Sequence, residues 1–286
     1  MIKINGIKIE HNNFPDGTLC LMNFNTTILH NPENNITWLY ESDAELFELI
    51  CITKHIQEKS IFGKDVKINL HLDYVPNSRL DRTHSNKEIF TLKYFCEIIN
   101  NLNFDNVFVF DPHSYVTESL INKIRILDVS TIIMEVISKI KKECLTPITI
   151  YFPDDGAMKR YKDSFNGVDI IYGKKIREWE TGKILGLDVY NERGEKVTSN
   201  DINGKTILMI DDIISYGGTM AYSADRLEEL GAKKIYAYAS HTENSALDQE
   251  KGTFLKRLDY GTIERLFTTN SIYNGNHKDI EIIHEF

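Results

Sequence analysis

The chain has few means of cross-linking or anchoring itself. Its 286 residues include four cysteines, Cys20, Cys51, Cys96 and Cys144. They lie far apart, with no Cys-x-x-Cys pair and no clustered histidines, which argues against a zinc site or a disulfide framework. Cys51 and Cys96 fall among apolar helix positions, as small core residues do. No apolar run approaches the roughly 18 residues needed to cross a bilayer. The first ten residues, Met-Ile-Lys-Ile-Asn-Gly-Ile-Lys-Ile-Glu, alternate like a strand and hold no signal-peptide core. A cytoplasmic protein without a membrane partner is expected. Positive charge is also short. Thirty-three Lys and Arg face 42 Asp and Glu, a net charge of -9, which argues against non-specific nucleic-acid binding.

What is present is an ordinary globular composition, 42% apolar and 26% charged, long enough for one large or two medium α/β domains. Residues 2–9 and 18–24 read as a hairpin around Phe14-Pro15-Asp16-Gly17. Strands are then predicted at 36–40, 67–74 and 107–111, with helices at 43–59, 86–102 and 130–144. Pro147 stops the last of these. Strand 148–152 leads into helix 156–164, followed by strand 168–172. Strand 206–212 leads into helix 218–230, then strand 234–240, helix 245–258 and strand 263–268. This alternation predicts mostly parallel sheets with crossover helices. Asn106-Val-Phe-Val-Phe-Asp-Pro-His and Thr206-Ile-Leu-Met-Ile-Asp-Asp read as counterparts, each a strand ending in acid. Two similar domains are expected, 1–143 and 144–268, with a tail, 269–286, packing back on the first. One continuous sheet is the alternative. Residues 173–204 carry glycine at 173, 182, 186, 194 and 204 among Lys174, Lys175, Arg177 and Lys183. A segment this long without clear periodicity is expected to be functional or mobile.

Residues 207–219, Ile-Leu-Met-Ile-Asp-Asp-Ile-Ile-Ser-Tyr-Gly-Gly-Thr, carry the most chemistry. An apolar strand ends in two carboxylates, and a Gly-Gly-Thr turn opens a helix. Open α/β sheets bind ligands outside the carboxyl ends of their strands. A turn at a helix N-terminus offers N–H groups to an anion. Asp211 and Asp212 can accept hydrogen bonds from sugar hydroxyls while the turn holds a phosphate, so a phosphorylated sugar is the implied ligand. A plain βα turn would use the same glycines for geometry alone. The run resembles the phosphoribosyl-pyrophosphate (PRPP) loop of phosphoribosyltransferases and PRPP synthetases.

Three further stretches extend the pattern. In His71-Leu-Asp-Tyr-Val-Pro-Asn-Ser-Arg-Leu-Asp-Arg82, Arg79 and Arg82 sit on a loop beside Asp81, with guanidinium forks suited to phosphate or to stacking on a base. A surface ion-pair loop would look alike. Phe110-Asp111-Pro112-His113 places a histidine at a strand end, as a metal or phosphate ligand or a structural residue. Phe152-Pro-Asp-Asp-Gly-Ala-Met-Lys-Arg160 gives another strand, acid pair, glycine and helix. There Asp154 and Asp155 suit Mg²⁺ and the amides behind Gly156 suit a pyrophosphate, though a simple helix cap reads the same way.

Taken together, and over nearly its whole length, the chain resembles the ribose-phosphate pyrophosphokinase (PRPP synthetase) family, as a short divergent member. Phe14-Pro-Asp16-Gly resembles the turn that reaches a neighbouring subunit's adenine. Tyr74 to Arg82 resembles the ATP loop, and Asp111-Pro-His113 the metal and ATP motif. Pro153-Asp154-Asp155-Gly156 resembles the pyrophosphate loop, Lys175-Ile-Arg177 the mobile catalytic arm, and Asp211 to Thr219 the ribose-phosphate loop.

The resemblance implies an α/β protein of two phosphoribosyltransferase-like domains with mostly parallel sheets and flanking helices. It implies a diphosphokinase that moves the β,γ-diphosphate of ATP to the anomeric hydroxyl of ribose 5-phosphate. Lys175, Arg177 and Asp211 would be catalytic. Phe14, Asp16, Arg79, Asp81, Arg82 and His113 would bind ATP, and Asp154, Asp155 and Gly156 would form the pyrophosphate loop. Asp211, Asp212, Ser215, Tyr216, Gly217, Gly218 and Thr219 would hold the ribose phosphate, with Mg²⁺ at His113 and Asp154. A dimer or hexamer would share the ATP site between subunits, with no nucleic acid involved.

Three departures from the family pattern stand out. Leu80 replaces glutamine in the ATP loop, and Thr18 follows the Phe14 turn in place of glutamate. Ser215-Tyr216 replaces Asp-Thr in the sugar-phosphate loop, which removes a charge and adds an aromatic face. Tyr216 either turns to solvent or stacks on a base carried by the acceptor, as ADP-ribose, a molecule of NAD metabolism, would present. A silent regulatory subunit should have lost Lys175, Arg177, His113 or Asp154, and all are present. A base phosphoribosyltransferase would need no Arg79 loop. After Thr269-Asn-Ser-Ile272 only a strand-like Asp279-Ile-Glu-Ile-Ile-His-Glu-Phe286 remains, so regulation by ADP or phosphate is expected to be reduced.

Overall fold

The computed structural model describes residues 1–165, 167–177 and 184–286, so Gly182 and Lys183 lie outside the described residues. The chain divides into two compact units, Met1–Asp128 and Val129–Phe286.

The first unit runs β1 (Ile2–Ile4), β2 (Ile7–Lys8), β3 (Asn12–Asn13), β4 (Leu19–Cys20), β5 (Glu33–Trp38), α1 (Ala44–Lys59), β6 (Lys67–Leu72), α2 (Thr91–Asn101), β7 (Asn106–Phe110), α3 (Tyr115–Leu120) and β8 (Ile124–Leu127). Its sheet has the order β2-β1-β5-β6-β7-β8, parallel from β5 to β8. The alternation of β5 buries Asn34, Ile36 and Trp38, and α1 and α2 lay Leu49, Ile52, Ile56, Phe95 and Ile99 into the same core. Each such fully buried large side chain is worth roughly 1.5–3 kcal/mol over exposure. The expected single hairpin at 2–24 is instead two. Asn5-Gly6 turns β1 into β2, and a separate two-stranded ribbon, β3 with β4, carries the Phe14 turn.

The second unit runs α4 (Ser130–Glu143), β9 (Ile148–Phe152), α5 (Asp155–Tyr161), β10 (Ile170–Arg177), β11 (Ile184–Asn191), α6 (Ser199–Ile202), β12 (Thr206–Ile214), α7 (Gly218–Glu229), β13 (Lys234–Thr242), α8 (Thr253–Asp259), β14 (Arg265–Thr269) and β15 (Ile280–His284). The seven-stranded sheet is ordered β11-β10-β9-β12-β13-β14-β15. Only β10 with β11 is antiparallel. β9 is buried at every position, and so is the Thr206–Ile210 run of β12. Their near-continuous apolar sequences are those of strands covered on both faces.

Four differences from the sequence reading have physical causes. The units divide at 128/129 rather than 143/144, because α4 belongs to the second sheet. Its last turn is tied there through Lys139 to Glu281 (2.6 Å) and Glu143 to Arg265 (3.1 Å). The tail 269–286 supplies β15, parallel to β14, and is part of this second unit. Residues 170–177 and 184–191 form β10 and β11, which pair antiparallel. Gly173, Gly186, the charges at Lys174 and Lys175 and a register shift at Ile176/Arg177 hide the alternation. The single helix expected at 245–258 is broken. The Asp248 carboxylate takes the Glu250 and Lys251 N–H groups (2.9 and 2.7 Å), and a Cβ on Gly252 would lie 2.2 Å from the Asp248 carbonyl oxygen. Among the described residues no helix is long and apolar enough to cross a membrane.

Candidate active site

The chain leaves β9 toward β10 on one side and leaves β12 toward β13 on the other, so the strand order reverses between β9 and β12. Crevices at such reversals are where open α/β sheets hold ligands. Both acid pairs of the second unit stand at the carboxyl ends of these two strands.

After β9, Asp154 is the N-cap of α5. Its Oδ1 accepts from the Gly156 and Ala157 N–H groups at 2.9 and 3.0 Å. The amides expected to receive a pyrophosphate are thus engaged by the cap itself. A Cβ on Gly156 would sit 3.1 Å from the same carboxylate oxygen, a tight contact that the cap would have to shift to admit. Asp155 is exposed. After β12, Asp212 is buried and pairs with Arg160 of α5 at 3.2 Å. The Asp212 N–H donates to Asp211 Oδ1 at 3.0 Å. Burial, and then the nearby Asp212 and Asp154 carboxylates, push the Asp211 carboxyl well above the ordinary range.

The loop from Ser215 to Thr219 follows. Gly217 has φ +74°, and a Cβ there would lie 2.2 Å from the Cβ of Phe254, a fully buried side chain of α8. Only glycine fits, on both counts. The Tyr216 carbonyl accepts from Phe254 N–H and from Thr253 Oγ1, each at 3.3 Å, which pins the loop to α8. The Tyr216 side chain is 43% exposed. Ser215 donates its hydroxyl to Glu243 at 2.7 Å. From β10, Lys175 Nζ donates to Thr219 Oγ1 at 3.0 Å, so a cation distant in sequence meets the loop. Arg177 closes the same strand, its backbone paired with Ile184.

The sequence-predicted nucleotide residues all lie in the first unit. Arg79 and Arg82 are exposed on the loop that follows β6, and Arg82 approaches Asp81 at 3.5 Å. Asp111 and His113 follow the neighbouring strand β7. Asp111 is buried at φ +40° and His113 is half-buried. Phe14 is 50% exposed on its turn, where its N–H donates to the Thr18 carbonyl (2.9 Å) and its carbonyl accepts from the Gly17 N–H (2.8 Å). The Thr18 hydroxyl (2.7 Å) and N–H (3.0 Å) bind the Asp16 carboxylate and hold its pKa below the ordinary value. Thr18, where the family pattern has glutamate, therefore fixes the turn. Among the described residues no group of three His, Cys, Asp or Glu forms a ready metal cage.

Several residues of consequence escaped the sequence reading. Arg160 was visible at the end of the acid-pair motif but had no assigned partner until α5 brought it to Asp212. Glu243 follows β13 and reaches Ser215 across 28 positions, with no local signal. Asp73, between β6 and the Arg79 loop, is buried with Oδ2 unpartnered. Burial pushes its carboxyl up to about 7, opposed by Lys3.

This fold is a phosphoribosyltransferase-type α/β fold. Residues 133–262, nearly all of the second unit's crevice and loops, match the phosphoribosyl transferase domain family. The full chain is similar to the ribose-phosphate pyrophosphokinase of Sulfolobus acidocaldarius, 28% identical over 280 residues, 95% of this chain and 87% of the relative. It is also similar to that of Pyrococcus abyssi, 28% identical over 83% of this chain and 77% of the relative. The enzyme of Bacillus subtilis is 27% identical over 80% and 69%. Among solved structures, the phosphoribosylpyrophosphate synthetase of Mycobacterium smegmatis superposes with a TM-score of 0.74 at 18% identity, covering 96% of this chain and 85% of that one. The similarity carried by the motifs is therefore shown along nearly the whole chain, and it is that of the ribose-phosphate pyrophosphokinase family.

Proposed function

We propose that the protein is a diphosphokinase that moves the β,γ-diphosphoryl group of ATP onto the anomeric hydroxyl of a ribose 5-phosphate moiety, giving a PRPP-type product and AMP. The observation that carries this reading is Lys175, brought by β10 onto Thr219 of the sugar-phosphate loop beside the two acid pairs. A cation is needed there for the chemistry. The sugar oxygen O1 bonds to the β-phosphorus, the bond from that phosphorus to the α,β-bridging oxygen breaks, and AMP leaves with the electron pair. Such a transfer asks for alignment and charge neutralisation more than for a covalent intermediate.

In this reading the N–H groups of Ser215 to Thr219 cradle the 5-phosphate, and Asp211 and Asp212 take the ribose hydroxyls. Asp211 takes up the O1 proton, and its raised pKa suits that role. Lys175 and Arg177 neutralise the transferring group. Arg79, Asp81, Arg82 and His113 hold ATP, and Phe14 and Asp16 reach the ATP of a neighbouring subunit in a homo-oligomer in the cytoplasm. The exposed Phe14 ring on a rigid turn supports that last assignment.

The residues also suit Mg²⁺. The Asp154 carboxylate is close enough to help push the Asp211 carboxyl up, and a divalent cation would offset that concentration of negative charge. Mg²⁺ is commonly held by one or two carboxylates plus substrate phosphates rather than by a protein cage. Asp154 and Asp155 would hold it in the second unit, and it would supply charge neutralisation on the diphosphate.

Free ribose 5-phosphate is the simplest acceptor. A second reading, an acceptor whose 5-phosphate is esterified, as in ADP-ribose, is favoured by the loss of the loop's acidic residue at Ser215 and by the exposed Tyr216 ring. The test is AMP release from ATP and Mg²⁺ with each acceptor, with product masses confirmed. AMP formed with neither acceptor overturns the transfer. A monomeric mass in solution together with full activity overturns the shared ATP site.

A further inference from the structure

Alongside the sugar-phosphate loop, the second unit holds a cavity of about 310 Å³, in the size range of small-molecule sites. It is lined by Thr219 and Lys175, the two side chains already joined at the phosphate cradle, together with Tyr222 of α7, Leu187 of β11 and Thr253 at the start of α8. The lining extends beyond the Ser215–Thr219 loop, so a ligand seated on the loop has more room than a 5-phosphate alone requires.

The walls indicate what would fill it. Leu187 is buried, and the half-exposed Tyr222 presents a flat aromatic side chain. Arg257 also lines the cavity, but its guanidinium is locked to both Asp225 oxygens at 2.5 and 2.6 Å. Its charge is spent, and its planar face remains. The arrangement therefore offers one cation, Lys175, joined to the phosphate cradle, together with neutral, flat surfaces. That is the complement of a phosphoryl group followed by an aromatic base, not of a second free phosphate. The charge around the loop agrees. Ser215 is turned to the Glu243 carboxylate, and Ser245 donates to the same group at 2.9 Å. A negative group beside the cradle penalises a dianionic terminal phosphate more than the monoanion of a phosphate already esterified.

We propose that this cavity is a subsite for a nucleoside joined by a phosphoanhydride to the acceptor's 5-phosphate. The acceptors then include nucleoside diphosphate riboses. The inference rests on the transfer reading above for its reaction. The same O1–phosphorus bond forms and the same AMP leaves, while the acceptor's own anhydride is untouched. Within the cavity the ring available to the base is Tyr222, on α7.

The test compares wild type with Thr253→Trp, which fills the cavity from its exposed side, and with Thr253→Ser, which does not. ADP-ribose and ribose 5-phosphate are the acceptors, and thermal melts confirm folding. Thr253→Trp should lower kcat/KM for ADP-ribose relative to ribose 5-phosphate by about tenfold or more, chiefly through KM, consistent with loss of one base-stacking contact. Thr253→Ser should restore the wild-type ratio. An unchanged ratio in a folded Thr253→Trp protein overturns the subsite. So does a wild type that converts ribose 5-phosphate but neither converts nor binds ADP-ribose, and in that case the transfer reading stands. If neither acceptor yields AMP, calorimetric titration of ADP-ribose decides. Binding weakened about tenfold by Thr253→Trp keeps the subsite and removes the transfer. Equal or absent binding removes the subsite as well.

Discussion

Gly217 and Gly218 are adjacent in the sugar-phosphate loop and should respond to alanine in opposite ways. Gly217 sits at φ +74°, where an L-residue costs roughly 1–2 kcal/mol. Its new Cβ would also lie 2.2 Å from Phe254 Cβ and 2.9 Å from Cγ. The Phe254 ring is fully buried and cannot swing away, and relieving such overpacking typically costs about 1–3 kcal/mol. Gly217→Ala should therefore destabilise the second unit by about 2–5 kcal/mol. At roughly 2–4 °C per kcal/mol for a unit of this size, its melting midpoint should fall by about 4–20 °C. A Cβ on Gly218 meets nothing closer than Thr253 Oγ1 at 3.8 Å, and this residue opens α7. Gly218→Ala should be neutral or stabilise by up to about 1 kcal/mol through lower chain entropy. Differential scanning calorimetry of both proteins is the assay. Equal midpoints for the two variants, or a Gly217→Ala midpoint at the wild-type value, would refute the claim that backbone handedness and Phe254 fix this loop.

Removing the Lys175 ammonium with Lys175→Met should lower kcat for AMP release about 10²–10³-fold, with a smaller change in acceptor KM; a loss below tenfold takes Lys175 out of the transition state. Arg160→Gln leaves Asp212 buried beside Asp211 without its cation and should cost about 2–4 kcal/mol in urea unfolding, reduced from the fully buried case because Arg160 is partly open to water. Asp73 should make the first unit pH-dependent. Its folded pKa, about 7, stands above the ordinary value of 3.8, so its contribution is fully present below pH 3.8 and is lost as pH rises through 7. The cost of holding it ionised approaches roughly 4 kcal/mol at pH 8, opposed by Lys3, so Asp73→Asn should gain stability over wild type at pH 8 and little at pH 4. Equal differences at the two pH values in urea melts exclude that burial.

The strands that carry the site were legible because they are buried on both faces. Ile148–Phe152 and Thr206–Ile210 leave little choice but a central strand, and the acids that end them mark its carboxyl edge. The pairing of β10 with β11 was not legible, because lysines at 174 and 175 and glycines at 173 and 186 interrupt the alternation of apolar residues. The helix expected at 245–258 failed for a different reason. An Asx turn at Asp248 competes with helical hydrogen bonding, and periodicity alone cannot reveal that competition. Within the candidate site, features whose geometry is local were legible from spacing, as the helix cap at Asp154 and the tight turn at Gly217 show. Glu243 and Arg160 act through partners supplied by other elements, and only the sheet order brings them together.

Strand order also explains why the two units carry such different motifs. In the first unit the parallel strands run β5-β6-β7-β8 in one direction, with no reversal among them. Without a reversal there is no crevice between strand ends. A ligand there must be gripped by side chains extending from loops, and the candidates are of that kind: exposed Arg79 and Arg82 after β6, and His113 after β7. In the second unit the reversal between β9 and β12 opens a crevice already lined by main chain, so the grip can be made by N–H groups and by carboxylates at strand ends. A main-chain site depends on conformation and therefore leaves glycines in the sequence, as at Gly156, Gly217 and Gly218. A side-chain site depends on a few long residues that can be exchanged one at a time. The departure at Leu80 falls in the side-chain half, whereas Gly217 and Gly218 stand in the other half. Substitution at Leu80 should thus alter nucleotide choice while leaving acceptor affinity in place, and a change in acceptor affinity of equal size would count against this division of labour.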